Sequence, residues 1–340
     1  MALRFAFVGF RHYHIFELLE AVKSRRDTEL AATCEEDPQA RKTVAADKNL
    51  EVTHDRFETM LAEVDCDVVA VGDYFGKRGR IILQALEAGK HVIADKPICT
   101  RLDELDRIQH LAAEKGLAVG CQLGMRGDRA LRAIRQIVQS GKIGEVRTVN
   151  FTGQHPLAYG TRPNWYFEPG CHGGTINDIF IHAASCMEWM TSRRIVEVTA
   201  ARVWNARLKE VPHFQDAAQM LLRLDNGGGV LGDVSYLAPN RCGYQIPQYW
   251  RFLLHGDSGM VEGTHGAEYI TLATNDSVEP VRVPAGNAEP LAHLEDFLRQ
   301  VAGRTDGVSL TTAEILKASR LALLVQRAAD EKRRDEPCDV

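Results

Sequence analysis

Ala88-Gly89-Lys90-His91-Val92-Ile93-Ala94-Asp95-Lys96-Pro97 decides how this chain is read. A glycine-containing turn feeds a short apolar run, His91–Ala94, and Pro97 prevents the strand from continuing. Similar runs precede it at Leu3–Val8, Leu30–Cys34 and Val68–Val71, and one follows at Ala118–Cys121. Helical stretches separate them at Ile15–Ser24, Pro38–Asp47 and Gly79–Ala88. A further helix after Pro97 carries the stripe Leu102, Leu105, Ile108 and Leu111, with Thr100 as its cap and Gly116 as its stop. Strands alternating with helices predict a doubly wound parallel sheet. Lys96 then lies at the carboxyl end of the fourth strand, beside the crevice where open α/β sheets bind ligands.

Beyond Gly124 the pattern changes. A helix at Arg129–Ser140 leads through Gly141-Lys142-Ile143-Gly144 into a strand at Glu145–Gln154, and a second helix is expected at Ile176–Met190. Strands then follow without intervening helices, near Ile195–Ala206, Ala217–Leu224, Gly229–Tyr236, Arg251–His255, Ala267–Ala273 and Val278–Val283. Turn sequences such as Asp225-Asn226-Gly227-Gly228 between them predict an antiparallel sheet with helices on one face. Helices near Leu291–Ala302 and Thr312–Glu331 close the pattern, and Lys332–Val340 reads as a loose tail. The broad uncovered face of such a sheet predicts a homodimer or homotetramer.

The 340 residues exceed one compact core and predict about two domains. Hydrophobic residues make up 45% and charged ones 26%, which excludes a disordered or collagen-like chain. The 41 basic and 46 acidic residues give a net charge of −5, which offers no electrostatic footprint for nucleic acid or an anionic membrane. No apolar run approaches the ~18 residues of a membrane span. The opening Met1–Gly9 reads as a strand and not as a signal peptide. Eight cysteines without paired spacing read as reduced thiols, so the expected location is cytoplasmic.

The first strand runs into Gly9-Phe10-Arg11-His12-Tyr13-His14. Dinucleotide folds use glycines here, because the turn is tight and the pyrophosphate must approach backbone N–H groups. One glycine of G-x-G-x-x-G is present, with Arg11 and His14 in the other two places, and a plain strand–turn–helix is the competing reading. Arg11 brings a charge suited to phosphate. Glu35 lies 26 residues after Gly9, near where an acidic residue holds the adenosine ribose. With Glu36 it disfavours a 2′-phosphate, so NAD is expected over NADP. A solvated charge run at a strand end is the bland alternative.

The stretch quoted first resembles the A-G-K-H-V-x-x-E-K-P hallmark of the glucose–fructose oxidoreductase, inositol dehydrogenase and rhizopine-catabolism (Gfo/Idh/MocA) family, with Asp95 in place of the glutamate. Leu123-Gly124-Met125-Arg126, the Ser140–Val146 turn, Arg162-Pro163-Asn164-Trp165 and Gly173-Gly174-Thr175-Ile176-Asn177-Asp178-Ile179-Phe180-Ile181-His182 are similar to its second domain. The resemblance implies an α/β protein with an N-terminal Rossmann domain, 1–122, that binds NAD. A C-terminal α+β domain, 123–340, would carry a large, mostly antiparallel open sheet for substrate binding and oligomerisation. It also implies that Lys96, Asp178 and His182 surround the reacting carbon. Three departures stand out: the degenerate glycine loop, Asp73-Tyr74-Phe75-Gly76-Lys77-Arg78 in place of T-P-N-x-x-H, and Ser185 where an aspartate is usual. The expected cofactor-binding set is Gly9, Phe10, Arg11, His12, Glu35, Asp73, Tyr74, Lys96 and Pro97.

The residue types suit oxidation of a secondary alcohol on a sugar, cyclitol or sugar acid. Nicotinamide carries the redox chemistry and the protein must manage a proton. Histidine, with an ordinary pKa near ~6.5, suits His182 to that task. Lys96 as a cation polarises the oxygen, and Asp178, four residues before His182, shares a helix face with it and holds hydroxyls. Arg126, His155, Trp165 and Tyr166 are candidate substrate contacts, each with core packing or a surface pair as the alternative. His155, His172, Asp178, His182 and His213 lack the paired spacing of a dedicated metal site, so no metal is expected. Two other readings stand beside the dehydrogenase: a redox-assisted glycosidase or lyase that keeps its NAD bound, and a non-catalytic NAD-binding sensor.

Overall fold

The computed structural model describes residues 2–48 and 50–338. It divides into two units, one of Met1–Gln122, Gly170–Gly173 and His293–Leu316, the other of Leu123–Pro169, Gly174–Ala292 and Lys317–Val340.

The first unit alternates as the apolar runs require: β1 (Leu3–Val8), α1 (His14–Lys23), β2 (Thr28–Cys34), α2 (Pro38–Lys48), α3 (Phe57–Glu63), β3 (Val68–Val71), α4 (Phe75–Glu87), β4 (His91–Ala94), α5 (Leu102–Lys115) and β5 (Val119–Cys121). Its five parallel strands lie in the order β2-β1-β3-β4-β5. All four residues of β3 are fully buried, the continuous apolar run typical of a central parallel strand. From β1 the chain steps to β2 on one side and to β3 on the other. Its winding therefore reverses between β1 and β3, and the ligand-binding switch point lies beyond Val8 and Val71. Ile15, Leu18 and Val22 of α1 pack on Phe5, Phe7 and Val68, joined by Leu294, Phe297 and Leu298 from a helix much later in the chain. That helix approaches β5 so closely that a Cβ on Gly120 would lie 2.6 Å from the Phe297 ring.

Two local expectations change in this unit. Thr100 does not cap α5, which starts after Arg101 with no side-chain cap. Arg101 instead grips Asp103 at 2.8 and 2.6 Å, and Asp103 with Glu104 offers negative charge to the helix N-terminus. Helix α4 begins four residues earlier than expected, so Phe75–Arg78 is helical.

The second unit contains α6 (Arg129–Gln139), β6 (Val146–Pro156), α7 (Ile181–Thr191), β7 (Ile195–Trp204), β8 (Ala217–Leu224), β9 (Gly229–Ala238), β10 (Trp250–Gly256), β11 (Gly259–Thr264), β12 (Tyr269–Thr274) and β13 (Val281–Pro284). Helix α8 (Ala292–Val301), the one packed on β5, then α9 (Thr312–Asp330) and β14 (Arg334–Pro337) complete the chain order. The nine strands run β13-β12-β11-β10-β6-β9-β8-β7-β14. Every neighbouring pair is antiparallel except β6 and β9. The Asp225–Gly228 turn closes the β8–β9 hairpin as its sequence predicts, with Asn226 Oδ1 accepting from Gly228 N at 3.0 Å. Strand β8 alternates buried Met220, Leu222 and Leu224 with exposed Gln219, Leu221 and Arg223. One face is thus core, while Leu221, Leu231 and Leu237 stay 40–56% exposed on the other.

The expected loose tail is corrected here. Arg334–Pro337 pairs with β7, a polar edge strand held by backbone bonds, which no apolar periodicity could reveal. The expected helix at Ile176–Met190 begins instead as a π-turn, Ile176–Phe180, before α7. Gly259–Thr264, bounded by glycine and threonine, is an additional strand.

Asp128 is the N-cap of α6, accepting from Leu131 N at 3.1 Å and from Gly266 N at 2.7 Å, with His265 Nδ1 at 3.0 Å. Burial alone would raise its pKa; His265 and the two N–H groups outweigh that and hold it below the ordinary carboxylate value. Asp128→Ala should therefore lower the unfolding free energy in urea by about 1–2 kcal/mol at neutral pH. A folded pKa below the unfolded one gives stability that is present above about pH 4 and lost as pH falls. The gap between wild type and variant should accordingly close in acid, and an unchanged midpoint at neutral pH would assign the start of α6 to packing alone.

Candidate active site

In the first unit β1 delivers Gly9 to the switch point. Its φ of +77° is left-handed, and a Cβ there would lie 2.5 Å from the Asp73 Cβ. Only glycine satisfies both conditions. The Gly9 N–H is taken by the Cys34 carbonyl at 2.9 Å. Phe10 donates its N–H to Glu35 Oε2 at 2.6 Å, and Asp37 donates to Glu35 Oε1 at 2.9 Å. Glu35 is fully buried, and burial pushes its carboxyl pKa up despite the Phe10 N–H.

Phe10 and Glu35, expected at the cofactor, both take part in the turn itself. The Phe10 ring stacks with Phe7 in the core and its N–H is taken. Glu35 has both oxygens engaged in bracing the turn. Without the second and third glycines the turn carries full-sized side chains, and these pack inward. Arg11 remains at the surface, 3.7 Å from Asp37 and with its guanidinium 5.8 Å from the Tyr74 ring centroid. Glu36 pairs with Lys77 at 2.8 Å, and Lys77 also reaches Asp73 at 2.7 Å.

Lys96 is buried, its ammonium 5.7 Å from the Phe75 ring centroid, and its peptide with Pro97 is cis. The segment carrying it is held by Arg78, which sequence reasoning did not single out. Fully buried, Arg78 donates from Nε to the Asp73 carbonyl at 2.7 Å, from Nη1 to the Asp95 and Lys96 carbonyls at 2.9 and 2.6 Å, and from Nη2 to Asp95 Oδ2 at 3.0 Å. Asp95 also bonds His12 Nδ1, and His14 Nδ1 lies 3.1 Å from its other oxygen. Burial would raise the Asp95 pKa; the charges of His12, Arg78 and His14 reverse this and hold it well below the carboxylate range. His12, expected at the cofactor, is buried with its ring turned to Asp95 and its N–H given to the Gly72 carbonyl at 3.2 Å. The visible signal was the pair of histidines in a loop that ordinarily holds glycine.

In the second unit the π-turn sets Asp178. Gln326 Oε1 accepts from Ile176 N at 2.9 Å and Asn177 N at 3.3 Å, steadying the irregular backbone. Asp178 is buried and accepts a hydrogen bond from the Tyr236 hydroxyl. Burial, then the Asp178 charge, raises the Tyr236 pKa well above its ordinary value, so the phenol stays a donor. The Arg162 guanidinium lies 4.7 Å from the Tyr166 ring centroid and 5.4 Å from that of Tyr236. It donates to the Leu157 and Pro156 carbonyls at 3.0 and 2.7 Å and lies 3.1 Å from the Tyr244 hydroxyl. Among the described residues no carboxylate pairs with it. The His155 ring is 5.3–6.0 Å from those of Tyr249, Tyr244 and Tyr236. Asp178, Tyr236, Arg162, Tyr166 and His155 therefore form one polar and aromatic cluster, of which Tyr236 and Arg162 were not anticipated.

His182 lies in the first turn of α7 with its ring edge-on to Trp250 at 5.8 Å. Ser185 Oγ donates to the His182 carbonyl at 2.8 Å, so the serine in place of an aspartate holds this turn through the backbone. Arg126, a candidate substrate contact, is buried, donates to the Ser185 carbonyl at 2.7 Å, and braces α7. Trp165 and Tyr166 are buried and stack on each other at 4.1 Å. His172 packs on Phe75 at 5.4 Å, while His213 bonds the Phe167 carbonyl at 2.8 Å.

The turn beyond β1 fits a dinucleotide: it lies at the switch point, leads into α1, and carries the Arg11 cation at its surface. Comparisons with known proteins agree. A model described as an oxidoreductase family with an NAD-binding Rossmann fold matches residues 3–123, and the GFO/IDH/MocA C-terminal domain matches residues 131–262. Inositol 2-dehydrogenase of Rhizobium meliloti is 24% identical over 307 residues, covering 89% of this chain and 86% of that protein. With the oxidoreductase YfiI of Bacillus subtilis the identity is 27% over 186 residues, covering 50% of this chain and 47% of YfiI. Several curated relatives are likewise matched over about half their length. Among solved structures, one from Erwinia carotovora atroseptica superposes with a TM-score of 0.84 at 27% identity, covering 96% of this chain and 98% of that one. The WlbA dehydrogenase of Bordetella pertussis, solved with NADH and UDP-GlcNAcA, gives 0.79 at 19% identity over 99% of both chains and shares the fold. This chain belongs to the Gfo/Idh/MocA family of NAD-binding oxidoreductases.

Proposed function

We propose that the chain is an NAD-dependent dehydrogenase that oxidises a secondary alcohol of a sugar, cyclitol or sugar acid, with sugar acids foremost. The observation that carries this reading is the Asp178–Tyr236 pair beside Arg162, a cation with no carboxylate partner among the described residues. An ionised carboxylate held by a phenol is a hydroxyl acceptor, and a guanidinium over aromatic rings is a carboxylate binder. Inositol 2-dehydrogenase and the WlbA structure show relatives whose ligands are a cyclitol and a carboxylated sugar nucleotide.

NAD, when bound, supplies the two-electron acceptor. The remaining work falls to this chain. On the family's motifs, His182 takes the role of proton acceptor, Lys96 that of stabilising developing negative charge on oxygen, and Asp178 that of holding a hydroxyl. Phe75 under the Lys96 ammonium and Arg78 around its backbone keep that cation in place. NAD is preferred over NADP because three carboxylates, Glu35, Glu36 and Asp37, follow β2, although Arg11 and Lys77 offset part of their charge. Leu221, Leu231 and Leu237 on the open sheet face are the proposed contact with a second copy.

Purified protein mixed with NAD and a panel of polyols, aldoses, inositols and sugar acids should accumulate reduced nicotinamide with at least one sugar acid. Lys96→Met and His182→Ala should each lose on the order of 10²–10⁴ in turnover, the latter while retaining NAD binding; full turnover in both would overturn their roles. Cofactor that co-purifies and turns substrate over without net NADH would favour the redox-assisted glycosidase or lyase. Arg162→Met should raise KM for the acid by roughly 10- to 100-fold, the worth of a charge-assisted hydrogen bond, and leave neutral polyols unaffected. Equal effects on both would remove the carboxylate assignment. Leu231→Lys should shift the molar mass measured by light scattering to that of one chain, and an unchanged mass would move the interface elsewhere.

A further inference from the structure

The glycine turn and the end of β4 place two imidazoles and one carboxylate together. One ring nitrogen of each of His12 and His14 and a carboxylate oxygen of Asp95 all lie within 4.8 Å of one another. His12 and Asp95 are buried, and the His14 side chain is 23% exposed, which leaves solvent one path of approach. Both Asp95 oxygens are oriented: Arg78 Nη2 lies 3.0 Å from the one that His12 Nδ1 also contacts, and His14 Nδ1 lies 3.1 Å from the other. A ligand carboxylate clamped through its second oxygen is what metal sites use to fix geometry.

A second observation points the same way. The Nδ1 atom of His293, in the first turn of α8, is buried and has no hydrogen-bond partner. Buried polar nitrogens are nearly always satisfied, so an orphan calls for an explanation. Asp95 and His14 both act electrostatically on His293, although the donors that converge are those of His12, His14 and Asp95. This neighbourhood is distinct from the five residues His155, His172, Asp178, His182 and His213 that the sequence offered as metal candidates.

We propose that His12, His14 and Asp95 bind a divalent cation of the zinc class, with His293 beside the donor set. Imidazole nitrogens with a single carboxylate suit borderline-soft divalent ions and not calcium or magnesium, which take oxygen ligands. A neutral imidazole coordinates through its unprotonated nitrogen and keeps its proton on the other, so such a ring releases no net proton. The Arg78 cation opposes a dication electrostatically, which assigns most of the affinity to the nitrogens. Such an ion would tie the turn after β1 to the end of β4 and so stiffen the segment that carries Lys96.

The test uses the full-length protein without an affinity tag, stripped with chelator, dialysed against Zn²⁺ or Co²⁺ and assayed for metal content by mass spectrometry. About one equivalent per chain is expected, with visible ligand-field absorption in the Co²⁺ form that reports bound nitrogen. His12→Ala and His14→Ala should each lose the equivalent and the absorption, and His293→Gln should weaken binding by roughly 10- to 100-fold. Circular dichroism establishes that each variant is folded, and His14→Gln serves if His12→Ala is not. Metal retained by the folded His14 variants, or wild-type protein that binds no equivalent, overturns the site; wild-type affinity in His293→Gln overturns the supporting part given to His293. The readout is metal content, so loss of dehydrogenase turnover with the ion still bound would count against the proposed function and leave this site standing.

Discussion

A buried guanidinium cannot be left unpaired, and in the first unit that constraint organises everything around the end of β4. Arg78 is enclosed completely, and its donors are spent on the carbonyls of Asp73, Asp95 and Lys96 and on the Asp95 carboxylate. Removing an ion from water costs several kcal/mol unless every hydrogen bond is replaced, so these groups have little freedom to move apart. Arg78 therefore joins the loop after β3, the end of β4 and the backbone of Lys96 into one rigid piece. Asp95 transmits the same restraint to His12 and His14 in the turn after β1. The aspartate that replaces the family's glutamate is thus the hub of a charged network.

The second unit solves a comparable problem with a neutral donor. Asp178 sits where the backbone takes a π-turn, and its charge is held by the Tyr236 hydroxyl. A π-turn leaves a helix locally irregular, and such turns concentrate at functional sites. The Gln326 side chain supplies the acceptor that Ile176 and Asn177 require there. Arg162 lies over the rings of Tyr166 and Tyr236, so charge and aromatic surface reach Asp178 together.

Much of the fold was legible because it rests on local pattern. Val68–Val71 and His91–Ala94 match their strands residue for residue, and the Asn-Gly turn after β8 closes its hairpin. Strand β14 was hidden, since a polar edge strand is held by backbone bonds alone. The site was legible in part. Lys96, Asp178 and His182 stand out by motif, whereas Arg78, Tyr236 and Arg162 are ordinary letters in sequence and gain meaning through contacts 17 to 82 residues away.

Alternation of apolar runs, turn residues and glycine positions determined on their own the parallel sheet and the long mostly antiparallel sheet, and the Ala88–Pro97 motif carried the resemblance to the family. These features depend on neighbours within a few residues, so the chain's order carries them. The partners of each charge were decided only in three dimensions: Glu35 turned inward to brace a turn, Arg126 became a brace for α7, and two histidines from a glycine loop met Asp95 across 81 and 83 residues. The physical reason is that desolvation makes a buried charge take whatever donor packing places beside it, and packing depends on the whole fold.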